Sequence, residues 1–285
     1  MMTKKNTWLR SRLHEIDSDD VTNQIKESLR SVQKLHKVFG EASTVQNLLA
    51  AMKREIDELS SWVPRIEVLC NKALKTRHWS KIKEITGMSS TELNFAVATL
   101  REILTLDVQG DVLEELGEIS EKAKKQSRLE EMLRSMQKEW EPIHFEITTF
   151  RDTRIPILKG DKIEDMQTML DEHVLVSQTI KNSPDVIPLI HEASQWERTM
   201  IFTQEILEIW LKVQTSYLFL FPIFNSAGIQ EEVKNILDSD AFLKVDEDWR
   251  EVMNELKNDT KVLNLGRIKD LEHILTNCHL SLENI

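Results

Sequence analysis

The sequence predicts an all-α protein with one short β-hairpin, and three observations carry that prediction. Seven glycines and six prolines in 285 residues leave few places for tight turns and strand ends. Apolar residues recur at three- and four-residue spacing along most of the chain, the period of a helix with one buried face. Only residues 144–158 hold a cluster of β-branched and aromatic residues broken by a polar turn.

Residues 1–20 are polar except for Trp8, Leu9, Leu13 and Ile16, which makes them a weak helix or a frayed end. Ser18 or Asp19 is the expected cap of the next helix, whose Ile25, Leu29, Val32, Leu35, Val38 and Phe39 form a stripe ending at Gly40. From Thr44 a long helix carries Val45, Leu48, Leu49, Met52, Ile56, Leu59 and Val63, and Pro64 either kinks it or begins a new one. The stripe resumes through Ile66, Leu69, Cys70, Ala73 and Leu74 to Arg77, His78 and Trp79, then Ile82 and Ile85, with Gly87 as its end. Ser89 and Ser90 precede a helix with Leu93, Phe95, Val97 and Leu100, and Gly110 breaks the pattern.

Residues 112–140 hold a heptad-like strip of Val112, Leu116, Ile119, Ala123, Leu129, Leu133, Met136 and Trp140. Lys122, Lys124, Lys125 and Gln126 dilute it, so a bundle helix is expected in place of a coiled coil. Pro142 stops that helix. Residues 144–150 then form one strand and 155–158 return as a short edge strand containing Pro156. Gly160 and Asp161 open a helix with Ile163, Met166, Leu170 and Val174. Ser183, Pro184 and Pro188 punctuate the entry into a long helix with Trp196, Met200, Ile206, Trp210 and Val213.

That helix leads into a dense apolar block, residues 217–224, interrupted only by Pro222, and residues 225–228 turn the chain. Asp246, Glu247 and Asp248 read as a helix start, with Trp249, Val252, Met253 and Leu256 on one face beyond them. A last stripe holds Ile268, Leu271, Leu275 and Cys278. Large aromatics thus join a long helix to a second helical layer, and Trp79 and Trp249 are expected to be buried.

The net charge of −11 argues against nucleic-acid binding, which needs a basic face to displace phosphate counterions. Cys70 and Cys278 are far apart and form no CxxC pair, as in a reducing compartment. No signal peptide is visible at the start. The longest apolar run, residues 217–224, is far short of the roughly 20 residues that span a bilayer, so no membrane segment is expected.

Nothing in the sequence is arranged for chemistry. A phosphate-binding loop needs closely spaced glycines and a Gly-Lys-Ser/Thr, which are missing, so the chain is expected neither to bind nor to hydrolyse ATP. His273, Cys278 and His279 are poorly spaced for zinc. The pairs Glu114-Glu115, Glu130-Glu131 and Glu231-Glu232 read as solvated faces. Arg77-His78-Trp79 is the most site-like cluster. It reads as a helix end, with Trp79 anchoring the core and Arg77 or His78 meeting terminal carbonyls. Catalytic, cofactor-binding and metal residues are accordingly expected to be none.

Several of these stretches resemble the linker of dynein heavy chains. Gln214, Leu220, Pro222-Ile223-Phe224, Ile229, Phe242, Val245-Asp246, Trp249-Arg250 and Met253 fall as they do in that family. The chain departs from it at Tyr217 for Trp, Phe219 for Tyr and Phe221 for Glu. Pro64 with residues 69–79 resembles the family's run ending in Arg-His-Trp. Residues 112–140 resemble its long helix ending in Trp140, and residues 145–159 its β excursion. Leu170-Asp171-Glu172-His173, Ser183-Pro184, Trp196 and residues 210–214 follow in the family's order. The axonemal type is the closer of the two.

The resemblance implies an elongated stack of helical bundles lying across a AAA+ ring, which bends and straightens as the ring turns over ATP. It implies an N-terminal helical segment at 1–40 and the linker-like region at 41–285, ending before the ring. ATP and magnesium would belong to the ring of a full-length parent, which would be the microtubule motor ATPase. Implied partners are the ring of the same heavy chain and dynein intermediate or light intermediate chains, with microtubules reached only indirectly. The implied place is the cytoskeleton, in the axoneme of a cilium or flagellum. The family-motif residues are structural: Arg77, His78, Trp79, Trp140, Trp196, Trp210, Gln214, Pro222, Phe224, Phe242, Asp246 and Trp249. A bend is expected where helices are interrupted, at 142–160 or 183–188. The competing reading is a stand-alone helical interaction scaffold derived from such a linker.

Overall fold

The computed structural model describes residues 2–39, 43–87, 98–105, 108–151, 153–225 and 238–285. It is all-α apart from one two-stranded antiparallel hairpin. The chain divides into two compact units, Met1–Arg128 and Leu129–Ile285, each with its own hydrophobic core.

In the first unit, α1 (Met2–Arg10), α2 (Ser18–Phe39), α3 (Ser43–Leu69), α4 (Thr76–Thr86) and α5 (Leu100–Leu104) precede α6 (Gly110–Trp140). The start of the chain is more ordered than its polar composition implies. Leu13 and Ile16 are buried. The backbone around Arg12 is bonded to residues 98–100, with Leu13 N–H donating to Ala98 at 3.1 Å and Leu100 N–H to Ser11 at 3.1 Å. Two apolar side chains and a short backbone ladder suffice to dock it. Residues 18–39 share the same core as α3. Asp17, in place of Ser18 or Asp19, caps α2: its carboxylate accepts the N–H groups of Asp19 and Asp20, both at 3.1 Å. Pro64 lies inside α3, which continues to Leu69 at the cost of one ladder hydrogen bond. Gly87 ends α4 in the left-handed region at φ 66°, where a Cβ would be strained. Gly40, Ser89, Ser90, Leu93, Phe95 and Val97 lie outside the described residues.

α6 follows the strip read from the sequence. Leu116 and Ala123 are buried in the first core, and Leu133, Met136 and Trp140 in the second. Pro142 follows its end. In the second unit, β1 (Ile147–Thr149) pairs with β2 (Pro156–Leu158), Thr148 opposite Ile157. Residues 143–145 are stitched to residues 260–262, Phe145 N–H donating to Thr260 at 2.8 Å. α7 (Ile163–Lys181), α8 (Ile190–Asn225), α9 (Ser239–Asn258) and α10 (Leu271–Asn284) complete the unit.

By length and composition Ile187–Asn225 is apolar enough to cross a bilayer, which the short apolar run at 217–224 had concealed. In the structure α8 is a core helix that buries Trp196, Met200, Ile206, Trp210, Val213 and Tyr217 against α7 and α10. Glu197 is also buried there, and the Lys181 ammonium at the end of α7 pairs with it. Both interruptions expected to bend, 142–160 and 183–188, lie within this one unit. Phe145, Ile155, Leu158, Val186 and Leu189 tie them into its core.

Both cysteines are free and buried. Burial pushes each thiol up to about 12, with Asp248 adding to the effect at Cys278. At pH 8 neither forms appreciable thiolate. Ellman's reagent is expected to leave both unreacted in the folded chain and to titrate both after unfolding; fast reaction of either in the native chain would contradict this packing.

Candidate functional site

The sequence-predicted residues separate into three places. In the first unit, Arg77 and His78 lie on the first turn of α4, at the helix start and away from its C-terminal turn. His78 is buried, and its Nδ1 accepts the Lys75 N–H at 3.0 Å. That bond makes Nε2 the protonated nitrogen, which lies 3.0 Å from Gln126 Oε1 on α6. Arg77 donates to the same oxygen from Nη2 at 2.8 Å and Nε at 3.2 Å. Trp79 is only partly buried. The α4 face turned inward carries His78 and Ile82, which leaves Trp79 on its flank. The expectation of a buried Trp79 is thereby corrected.

In the second unit, Trp140 ends α6 and donates from Nε1 to His173 Nδ1 at 2.8 Å. The opposite ring nitrogen therefore carries the proton and faces Glu139 at 3.5 Å. His173 falls on the buried stripe of α7 that holds Ile163, Met166, Leu170, Ser177 and Ile180. That spacing was readable; a partner for the Trp140 indole was not. Trp196 is buried with its indole N–H unpartnered among the described residues.

The third place gathers most of the set. Trp210 stacks on Phe145 (centroids 6.3 Å apart) and meets Trp249 edge-on at 6.3 Å. Trp249 stacks on Tyr217 at 5.5 Å, Tyr217 on Phe242 at 5.7 Å, and Phe242 on Phe224 at 4.3 Å. Each such pair adds about 0.5–1.5 kcal/mol beyond its buried area. The rings form a continuous seam from the hairpin along α8 and α9. Pro222 is exposed within α8, which runs on to Asn225, and the turn that follows lies outside the described residues.

Two side chains bolt the hairpin to this seam. Pro156 and Leu158 turn their backbone polar groups away from β1, and Pro156 has no N–H to give. Gln214 on α8 accepts the Leu158 N–H at 2.8 Å and donates to the Leu158 carbonyl at 3.1 Å. Trp249 on α9 donates its indole N–H to the Pro156 carbonyl at 3.0 Å. The edge strand is thus satisfied by side chains from two helices.

Asp246 does not start a helix. α9 begins at Ser239, where the Asp238 carboxylate accepts the Ala241 N–H at 3.0 Å. The acidic triplet was a misleading signal because a partner across the seam accounts for one of its members. Asp246 accepts the Tyr217 hydroxyl and the Arg250 Nε–H, the latter at 2.9 Å. Burial, then the bond to Asp246, push the Tyr217 hydroxyl above its ordinary range. The same carboxylate raises Arg250. Asp246→Ala is expected to cost about 1–3 kcal/mol, because it leaves a buried hydroxyl unpaired. Tyr217→Phe, which removes the hydroxyl but keeps the ring, should cost less; equal urea midpoints for the two variants would contradict the assignment.

His273, Cys278 and His279 have separate surroundings: His273 lies 3.0 Å from Asn277, Cys278 is buried, and His279 meets Glu283 at 3.4 Å. Among the described residues, no group of three or more His, Cys, Asp or Glu is placed to hold a metal. The arrangement built here is one of packing: rings, one amide and one indole fasten a hairpin across two helices.

A family model described as dynein heavy chain, N-terminal region 2, matches residues 1–285. The chain is 28% identical over 282 residues to rat dynein axonemal heavy chain 1, covering 97% of this chain and 6% of that protein. It is 30% identical over 262 residues to human dynein axonemal heavy chain 3, covering 91% and 6%. It is 31% identical over 290 residues to human dynein axonemal heavy chain 12, covering 98% and 9%. The chain therefore spans less than a tenth of the length of each of these relatives.

Proposed function

The chain belongs to the dynein heavy chain family, as its N-terminal region 2, and from that premise we propose that it is the mechanical linker of an axonemal heavy chain. The observation that carries the proposal is the family match across the whole chain. The seam of the second unit supports it, since a lever must move its far end without deforming. Rings locked in series, with an edge strand bonded to two helices, resist shear because interior packing is close to that of an organic crystal.

In this reading the residues do no chemistry. ATP and magnesium are held by the AAA+ ring of a longer heavy chain, the ring drives the linker, and microtubules are engaged elsewhere in the motor. Intermediate or light intermediate chains are the expected company, and the axoneme the expected place. The test is to soften the seam within a complete heavy chain and to measure gliding and ATP turnover separately. A linker loses movement before turnover; a passive scaffold loses neither.

A further inference from the structure

The pair α2 and α3 carries an exposed apolar tip at positions whose spacing marks them as core. Leu35 and Val38 on α2 are 41% and 71% exposed, and Leu48 and Met52 on α3 are 61% and 36% exposed. Leu35 and Met52 line the same groove of about 370 Å³, together with Trp8, Val32 and Ile56 and with the polar Lys4 and Glu27. Val38 lies about one turn beyond Leu35, near the end of α2, and Leu48 about one turn before Met52, near the start of α3.

The charge around this patch is opposite to that of the chain. Residues 31–54 carry Lys34, Lys37, Lys53 and Arg54 against the single carboxylate of Glu41, in a protein of net charge −11. All four cationic side chains are exposed. Lys34, Lys37 and Lys53 have no carboxylate partner among the described residues, although nearby lysines such as Lys5 do. A second copy would bring the same positive charge to the contact. The concave groove between helices also suits a rod better than a flat bilayer.

We propose that this tip docks an acidic amphipathic helix of a separate protein. The partner's apolar stripe covers Leu35, Val38, Leu48 and Met52, and its flanking carboxylates meet Lys34, Lys37, Lys53 and Arg54.

The probe is a fluorescein-labelled helical peptide of about 18 residues, with Leu at i, i+3, i+4 and i+7 spacing and Glu on the other positions. Anisotropy with the whole chain should show saturable binding that weakens as salt rises. Val38→Asp with Leu48→Asp, and separately Lys34→Glu with Lys37→Glu, should each weaken it about tenfold or more, with melting temperatures unchanged. A scrambled peptide of the same composition should bind poorly. Equal binding by the scrambled peptide, or by either double variant, overturns the proposal. So does binding to phosphatidylserine vesicles without binding to the peptide. Self-association in sedimentation that the Val38/Leu48 variant abolishes, with no peptide bound, would assign the patch to a second copy instead.

Discussion

Trp249→Ala is expected to lower the stability of the second unit by about 3–5 kcal/mol, the range for emptying a packed aromatic site. The side chain is buried between Tyr217 and Trp210, so its removal breaks two ring contacts and leaves a cavity between helices. It also strips the Pro156 carbonyl of its donor, on a strand edge whose only other helix-borne support among the described residues is Gln214. Trp79→Ala should cost clearly less, because that ring is partly in solvent already. Urea unfolding followed by circular dichroism gives the difference, and hydrogen exchange at the Leu158 amide locates it. The Leu158 amide should exchange faster in Trp249→Ala and unchanged in Trp79→Ala. Equal destabilisation by the two variants would mean that the seam is not where the second unit is held.

The second large effect is on movement. On the linker function proposed above, Trp249→Ala and Gln214→Ala in a complete heavy chain carrying these residues should slow microtubule gliding several-fold while ATP turnover continues. The physical reason is compliance: a lever whose hairpin slides over α8 and α9 absorbs displacement that it would otherwise transmit. The two variants act through different bonds on the same junction, so agreement between them separates loss of stiffness from misfolding of either one. Gliding that is unchanged by both, with the isolated chain destabilised as above, would make these residues a passive scaffold. Turnover and gliding lost in equal measure would instead place them in control of the ring. A change in Cys70 reactivity is not expected in either variant, since Cys70 belongs to the first unit's core.

Periodicity and composition determined most of the architecture before any coordinate. Few glycines, long 3.6-residue stripes and a single β-branched cluster forced helices with one hairpin, because an apolar face along a helix must be buried whatever it is buried against. The strip through α6 and the face from Trp249 to Leu256 were legible for the same reason. So was the family, through motifs whose order survives the departures at Tyr217, Phe219 and Phe221.

What one-dimensional spacing does not contain is the partner across the contact, and each correction traces to that. Asp246 looked like a helix start until Tyr217 and Arg250 were brought to it. Trp79 and Trp249 look alike in sequence, but Trp249 is buried in a seam of rings whereas Trp79 is only partly buried. The interruptions at 142–160 and 183–188 break the helical pattern, and only the fold shows that both send side chains into one core. At the α2–α3 tip the same gap ran the other way: Val38 and Leu48 have the spacing of core residues, and no element of the chain among the described residues covers them. Helical period is a local property of the chain, whereas burial is decided by which distant surface arrives, and only the tertiary structure decides that.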